Sequence, residues 1–378
     1  MSPVARIAVV VAVFLASACG TSPAGPERPA WEPVPPPAPD ARVLGFAPLA
    51  AEVRAFGSVP GAEGRAPGAW TWRAGRWEPM TLHARSGYAR QAELTVPAID
   101  GDRILALGSA FGGAHGNPRP TIWTGGPAAL DEYPQGMELL GGPRAITVTG
   151  SAAGPSTYVL SGQWDHPRGG AGAAVWVSAD GAVWSRLDDD PALLSTEGAR
   201  TRILATTRAG DGFVAVGDVR SERLSPTAWT SGDGRSWRRE ALPADGSWDV
   251  SAWRITCRDS CVAVGVAARP DGGPQRLACW QRDGTAWRPM VLGGPEVPRA
   301  QLLEVTGLSR DAGISVVTGK IGGKTRLWRY GPGCEGPAEL PLPEDTPEIT
   351  AFASGGSVLL ATTGRDSSKL WRQRIVAL

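Results

Sequence analysis

"TAWTSGDGRSWRRE", Thr227–Glu240, sets two tryptophans on either side of a Ser-Gly-Asp-Gly turn. Asp233-Gly234 is a favoured reversal, because a tight hairpin needs positive φ at its centre and glycine supplies it without steric cost. The short side chains of Ser231 and Asp233 suit hydrogen bonds to the loop's own amides. Trp237 then returns toward the sheet and roofs the turn with its ring. Trp229 and Trp237 are therefore expected on adjacent strands of one hairpin.

The same pattern recurs along the chain. A Trp that follows a loop and precedes a turn falls at Trp72, Trp123, Trp176, Trp229, Trp280, Trp328 and Trp371, at intervals of 51, 53, 53, 51, 48 and 43 residues. Each unit opens on one apolar run, such as "RILATTRA" (Arg202–Ala209), "AWRITC" (Ala252–Cys257) or "EITAFA" (Glu348–Ala353). A second follows, such as "RILALGS" (Arg103–Ser109), "GFVAVG" (Gly212–Gly217) or "SCVAVG" (Ser260–Gly265), and then the Trp-bearing run, a turn and a short fourth run. Runs rich in Val, Ile, Thr and Trp between Gly and Asp turns read as four-stranded antiparallel meanders. A lone sheet of that kind has two apolar faces; stacking units around an axis buries both, which explains near-continuous apolar runs. The expected fold is all-β, a single seven-bladed propeller of four-stranded antiparallel blades. "PAALDEY" (Pro127–Tyr133) is the one stretch with helical character.

Composition agrees. Hydrophobic residues make up 42%, and 50 Gly and 34 Pro punctuate short runs, as in an all-β chain. The formal net charge of +1 provides no global field for nucleic acid.

The turns resemble the Asp-box of sialidase-type (BNR-like) propellers, whose pattern is close to Ser-x-Asp-x-Gly-x-x-Trp. Two matches are strong: Ser178, Asp180, Gly181 and Trp184; and Ser231, Asp233, Gly234 and Trp237. A third, Asp283, Gly284 and Trp287, lacks the Ser, and "WRAGRW" (Trp72–Trp77) is a shortened relative. The resemblance implies a propeller in which these boxes are architectural and lie on outer turns.

The seventh unit stops after "SSKLWRQRIVAL", with no fourth run. "AWEPVP" (Ala30–Pro35) is similar to the fourth runs "RWEPMT" and "AWRPMV". The N-terminal segment is therefore expected to close the last blade with Trp31–Val34 as its outermost strand, where proline is tolerated. Ahead of it, residues 1–18 read as a lipoprotein signal peptide, with Ile7–Ala16 too short to span a bilayer as a mature helix. "ASAC" resembles a bacterial lipobox, which implies lipidation of Cys19 and anchoring to the outer face of the cytoplasmic membrane. Residues 19–39 form a proline-rich tether and 40–378 the propeller.

Disulfides are the default for the four remaining cysteines of an exported chain. Cys257 and Cys261 flank one turn and are paired, leaving Cys279 with Cys334 between the fifth and sixth blades. Three scattered histidines, His83, His115 and His166, argue against zinc. No cofactor is expected: "GSAFGGAHG" is glycine-rich, but no helix follows it to hold phosphate.

The second-to-third-strand loops gather on one propeller face. With Lys369 they hold eleven basic and five acidic residues, among them Arg119, Arg168, Arg220, Arg269 and Arg276. The reading is a surface-anchored, non-catalytic binding or scaffold lipoprotein, monomeric, whose loop face meets an extracellular protein, glycan or wall polymer, possibly anionic. The alternative is a sialidase-like or other glycoside hydrolase, which a convergent carboxylate pair or arginine triad in the channel would favour.

Overall fold

The apolar runs pair within each unit to give seven antiparallel sheets in sequence order, with each chain segment adjacent to its sequence neighbour. This computed structural model describes residues 30–49, 52–111 and 118–375. Blade one is Arg42–Leu49, Glu52–Gly61, Gly64–Arg73 and Arg76–Pro79; blade four is Arg200–Ala209, Gly212–Arg220, Leu224–Ser231 and Arg238–Ala241. The seven first strands line the axis of a β-propeller, and the fourth strands lie outermost.

The core consists of one apolar cluster at each blade junction. Successive side chains of a second strand join opposite clusters: Val262 and Val264 pack toward blade six, and Ala263 toward blade four. Period-two alternation with both faces covered is why these runs show no polar face. A third-strand Trp anchors each junction to the preceding blade, as Trp229 does against Val159 and Val175. Its indole often reaches further: Trp176, Trp229 and Trp280 donate to the carbonyls of Leu139, Ala192 and Pro243 at 2.7, 2.8 and 2.8 Å. These acceptors lie on the connection leaving the preceding blade, so each bond ties a blade to its neighbour.

Pairing corrects one position in the repeat. The third-strand Trp stands opposite a residue two places before a second-strand glycine: Trp229 opposite Ala215 before Gly217, and Trp280 opposite Ala263 before Gly265. In blade one the residue so placed is Trp70, opposite Ala55 before Gly57, and not Trp72. Trp70 is buried at the junction with blade seven, whereas Trp72 is half-buried and meets Trp77 edge-on at 4.9 Å.

Other differences are local. "PAALDEY" contains a strand, Ala129–Glu132, that forms the outer edge pairing of blade two and also accepts Thr81–His83 in parallel. The fourth run of blade five is interrupted: Ala286–Trp287 pairs first, and Val291–Val297 resumes against Gln275–Cys279. Pro289 lies between them and has no N–H to donate.

Ring closure is as expected. Glu32–Val34 pairs antiparallel with Ser368–Arg374, Val34 opposite Leu370. Trp31 donates its indole N–H to Pro341 O at 2.8 Å, and Pro35 O accepts from the Trp77 indole at 3.0 Å. Arg65 bonds the carbonyls of both Asp366 and Asp40, at 2.8 and 3.0 Å.

Candidate functional site

The first strands bulge where they pass the middle of the channel. Register shifts occur at Val43/Gly45, Thr95/Ala98, Val148/Gly150, Ile203/Ala205, Ala252/Arg254 and Val305/Gly307, while blade seven has none recorded. A bulge turns backbone carbonyls out of the ladder. Neighbouring blades satisfy several of them: Ser151 Oγ donates to Val96 O at 2.6 Å and Thr149 Oγ1 to Ile203 O at 3.0 Å. Arg254 Nε donates to Thr306 O at 2.9 Å. Where the register resumes, the other bulged strands present small residues, Gly45, Ala98, Gly150, Ala205 and Gly307. Blade five alone presents an arginine, Arg254.

From this waist to one face, the channel holds a cavity of about 660 Å³. Its wall is mostly Gly, Ala, Thr, Ser and Pro, with Phe46 and Phe352. Four arginines line it, Arg208, Arg254, Arg258 and Arg310, and no Asp, Glu or Tyr is among the described wall residues. Arg208 is paired with Asp100, and Arg258 with Asp311. Arg254 has no carboxylate partner among the described residues, and Arg310 makes no ion pair but lies in the field of Asp259 and Asp283. Arg254 also donates from Nη1 to Trp253 O at 2.8 Å. Arg310 uses Nη1 alone, donating to Ser260 Oγ at 2.7 Å and Ser260 O at 3.2 Å. Burial pushes the pKa of both guanidiniums down, because the charged form loses hydration there.

The two disulfides frame the same junction. Cys257–Cys261 closes the turn that carries Arg258 and Ser260, and Cys279–Cys334 bridges blades five and six. Arg254 belongs to blade five and Arg310 to blade six, and Cys279–Cys334 joins these two blades.

The cavity lies on the face opposite the long loops. First-to-second-strand turns, such as Ala209–Gly212, share their end of the sheet with the third-to-fourth-strand turns, and Ser231 stands opposite Phe213. The second-to-third loops lie at the other end, where Arg200 meets Arg220. There the loop cations meet acids from other parts of the chain, on connections between blades and on strands. Arg168 pairs with Asp189, Arg276 with Glu296, Arg223 with Asp249 and Lys369 with Glu344, at 3.4, 2.5, 2.8 and 2.6 Å. Arg269 stacks over Trp248 at 4.2 Å, Arg119 lies 5.9 Å from the Tyr88 ring, and Arg220 is exposed. Counting only loop residues missed these acids, because they are distant in sequence.

The two full box turns are built identically. Gly181 N–H donates to Ser178 Oγ at 2.8 Å, and Ala182 and Val183 N–H donate to Asp180 Oδ1 at 2.8 and 3.0 Å. Gly234, Arg235 and Ser236 repeat this with Ser231 and Asp233 at 2.8, 2.8 and 2.9 Å. Trp184 and Trp237 fold back, each indole donating to the box glycine carbonyl at 2.9 Å. Both tryptophans immediately precede the fourth strands. The glycines take φ of 80° and 77°. At Asp283 the turn differs: Asp283 pairs directly with Ala286 across Gly284-Thr285, its carboxylate pairs with Arg288, and Trp287 donates to Glu240 Oε1 at 3.3 Å. Without the Ser there is no hydroxyl to accept the glycine N–H.

These bonds depress the aspartate pKa values: Val183 and Ala182 N–H act on Asp180, and Ser236 and Arg235 N–H on Asp233. A depressed folded pKa adds stability above the unfolded value of about 3.9, which is lost as the pH falls through the lower folded value. Asp233→Asn keeps an acceptor and removes the charge, so it should flatten the acid limb of stability below about pH 4. Asp233→Ala loses the acceptor and should cost about 1 kcal/mol at pH 7, the scale of a lost capping side chain. Denaturant unfolding at pH 7 and pH 3 measures both.

Cys19 and His115 lie outside the described residues. His83 stands beside Asp131 at 3.3 Å and buried His166 bonds Ala173 O at 2.9 Å; no metal-holding group of side chains occurs among the described residues.

No family model matches the sequence, and no curated protein matches it. Solved structures are similar in backbone. Polysaccharide lyase Uly1 is 10% identical with a TM-score of 0.51, covering 88% of this chain and 90% of that one. A prolyl endopeptidase is 11% identical with a TM-score of 0.52, covering 89% and 48%. The acylaminoacyl peptidase of Pyrococcus horikoshii is 11% identical with a TM-score of 0.50, covering 89% and 52%. The chain spans about half the length of these two peptidases. At such identities the likeness is one of fold, a β-propeller.

Proposed function

We propose that this protein is an exported, lipid-anchored, monomeric binding module that holds an anionic polymer of the cell envelope without cleaving it. The observation that carries this reading is the channel end, whose described wall residues include four arginines, two of them paired with Asp100 and Asp311, and no carboxylate of their own. Such a wall attracts anions and offers no general acid or nucleophile for glycoside cleavage. Two disulfides favour an oxidising compartment, and the lipobox-like "ASAC" supplies the anchor through Cys19. The box turns support kinship with sialidase-type propellers at the level of architecture; they lie away from the arginines, toward the outer edge of the same face.

The test uses residues 20–378, since Trp31–Leu378 forms one compact unit. Retention on anionic envelope polymers is expected, falling with salt, with no sugar released. Sugar release would favour the glycoside hydrolase alternative, and absence of retention at low salt would overturn the binding reading.

A further inference from the structure

We propose that Cys257–Cys261 is an exchange site at which a small dithiol entering the channel is oxidised, with Arg282 beside it to favour the released thiolate. This goes beyond the binding reading and does not depend on it. The two disulfides differ in what governs exchange. Cys279 and Cys334 are buried in the apolar junction of blades five and six, at 0% and 2% exposure, and stand 55 residues apart in sequence. Cys257 is half-buried, lines the channel cavity and lies only four residues from Cys261. A small reductant reaches Cys257 through the cavity, whereas Cys279–Cys334 is shielded until the junction opens.

The hairpin keeps the two sulfurs together when their bond is broken. Cys257 and Cys261 stand directly opposite one another in the ladder, next to Thr256 opposite Val262. A bridge across so short a loop constrains the unfolded chain little, so its loss costs the fold less than loss of Cys279–Cys334. The reduced protein is therefore expected to stay folded with its thiols apposed. The same row continues outward: Cys261 stands opposite Arg282, and Arg282 opposite Trp287, on one face of blade five. Cys257, Cys261 and Trp287 pack in the junction with blade four. Arg282 makes no ion pair among the described residues; its Nε is buried without a hydrogen-bond partner, and its guanidinium lies 5.9 Å from the Trp287 ring. The turn's own charges, Arg258 and Asp259, are opposite in sign, and Arg258 is paired with Asp311. An uncompensated cation next to a cysteine favours thiolate over thiol.

The steps balance. A thiolate of the dithiol attacks Cys257 Sγ, the bond to Cys261 breaks, and Cys261 leaves as a thiolate beside Arg282. The second thiol gives its proton to water, attacks the dithiol's own sulfur in the mixed disulfide and releases the Cys257 thiolate. The dithiol ends as a disulfide, two electrons poorer, and the protein takes up two protons from solvent as two thiols. A small disulfide running the same steps in reverse restores the bridge.

The experiment exposes folded, oxidised residues 20–378 to excess dithiothreitol, traps free thiols with iodoacetamide at timed intervals and locates them by peptide mass spectrometry, with circular dichroism in parallel. Cys257 and Cys261 should be trapped at least about tenfold faster than Cys279 and Cys334. The spectrum of the folded protein should persist, and glutathione disulfide should re-form the bridge once the reductant is removed. Arg282→Gln should slow trapping of Cys261 at least about threefold, and Arg282→Lys should restore it. Equal rates for the two bridges, no reduction of the folded protein, or unfolding on reduction overturns the exchange site. An undiminished rate in Arg282→Gln overturns the role of Arg282. The comparison of the two bridges uses the unsubstituted protein, so it decides the matter even if Arg282→Gln fails to fold. Anion retention is measured on the oxidised protein, which keeps the two outcomes separate.

Discussion

Gly217→Ala should leave the protein largely unfolded, or lower its melting temperature by roughly 5 °C or more, the equivalent of about 4 kcal/mol in a chain of this size. A Cβ at Gly217 would stand 1.8 Å from Arg202 O, a backbone atom that cannot swing aside. The contact recurs at Gly57, Gly162, Gly265 and Gly319, where a Cβ would meet the first-strand carbonyl at 1.8, 2.1, 1.9 and 2.1 Å. The cause is the bulge: where the innermost strand bulges, its carbonyl tilts over the second strand, and only a residue without a side chain fits beneath. Blade seven supports this, since its first strand has no recorded bulge and Thr362 occupies the corresponding place opposite Ile349. Gly210→Ala is the control. Its φ of 57° is strained for alanine but its Cβ direction is open, so about 1 kcal/mol should be lost there. Thermal melts of both variants check the contrast; equal, small losses would contradict it.

Deleting residues 20–38 should give the second-largest loss. It removes the Glu32–Val34 strand, the Trp31 bond to Pro341 O and the acceptor of the Trp77 indole. It also uncovers apolar surface that Trp31, Val34 and Ala38 pack against at the last two junctions. Burial and hydrogen bonding together amount to on the order of 3 kcal/mol. The exposed edge, Ser368–Arg374, would then offer unpaired backbone to another chain, so self-association should rise as the melting point falls. Scanning calorimetry with sedimentation measures both. An unchanged melting temperature would mean that this strand is an ornament of the ring and not its clasp.

Much of the architecture was legible because it rests on local chemistry. Hairpin turns announce themselves through Asp-Gly, and junction residues through continuous apolar runs. The pairing of Cys257 with Cys261 follows from their flanking one turn. The register of blade one was not legible. Trp70 and Trp72 are two residues apart, so a strand points both to the same face, and either satisfies a spacing of about fifty. Only the place of Gly57 in the neighbouring strand distinguishes them, and its importance depends on a bulge that no sequence pattern announces.

The candidate site was harder to see. The loop cations were conspicuous because they cluster in sequence, but acids distant in sequence neutralise several of them. The channel arginines lie singly in runs scored as apolar, Arg254 within "AWRITC" and Arg310 at the end of its strand. The signal available was an arginine at the bulge position, where the other bulged strands place glycine or alanine. Reading it requires the alignment of blades at the waist, which the tryptophan spacing does not fix to the residue.

The most direct test of anion capture by the channel is competitive release of residues 20–378 from an anionic envelope polymer. Inorganic phosphate should release the protein at concentrations where sodium chloride of equal ionic strength leaves it bound. Equal release by the two salts would mean that attachment is diffuse charge screening, and would contradict anion capture by the channel wall.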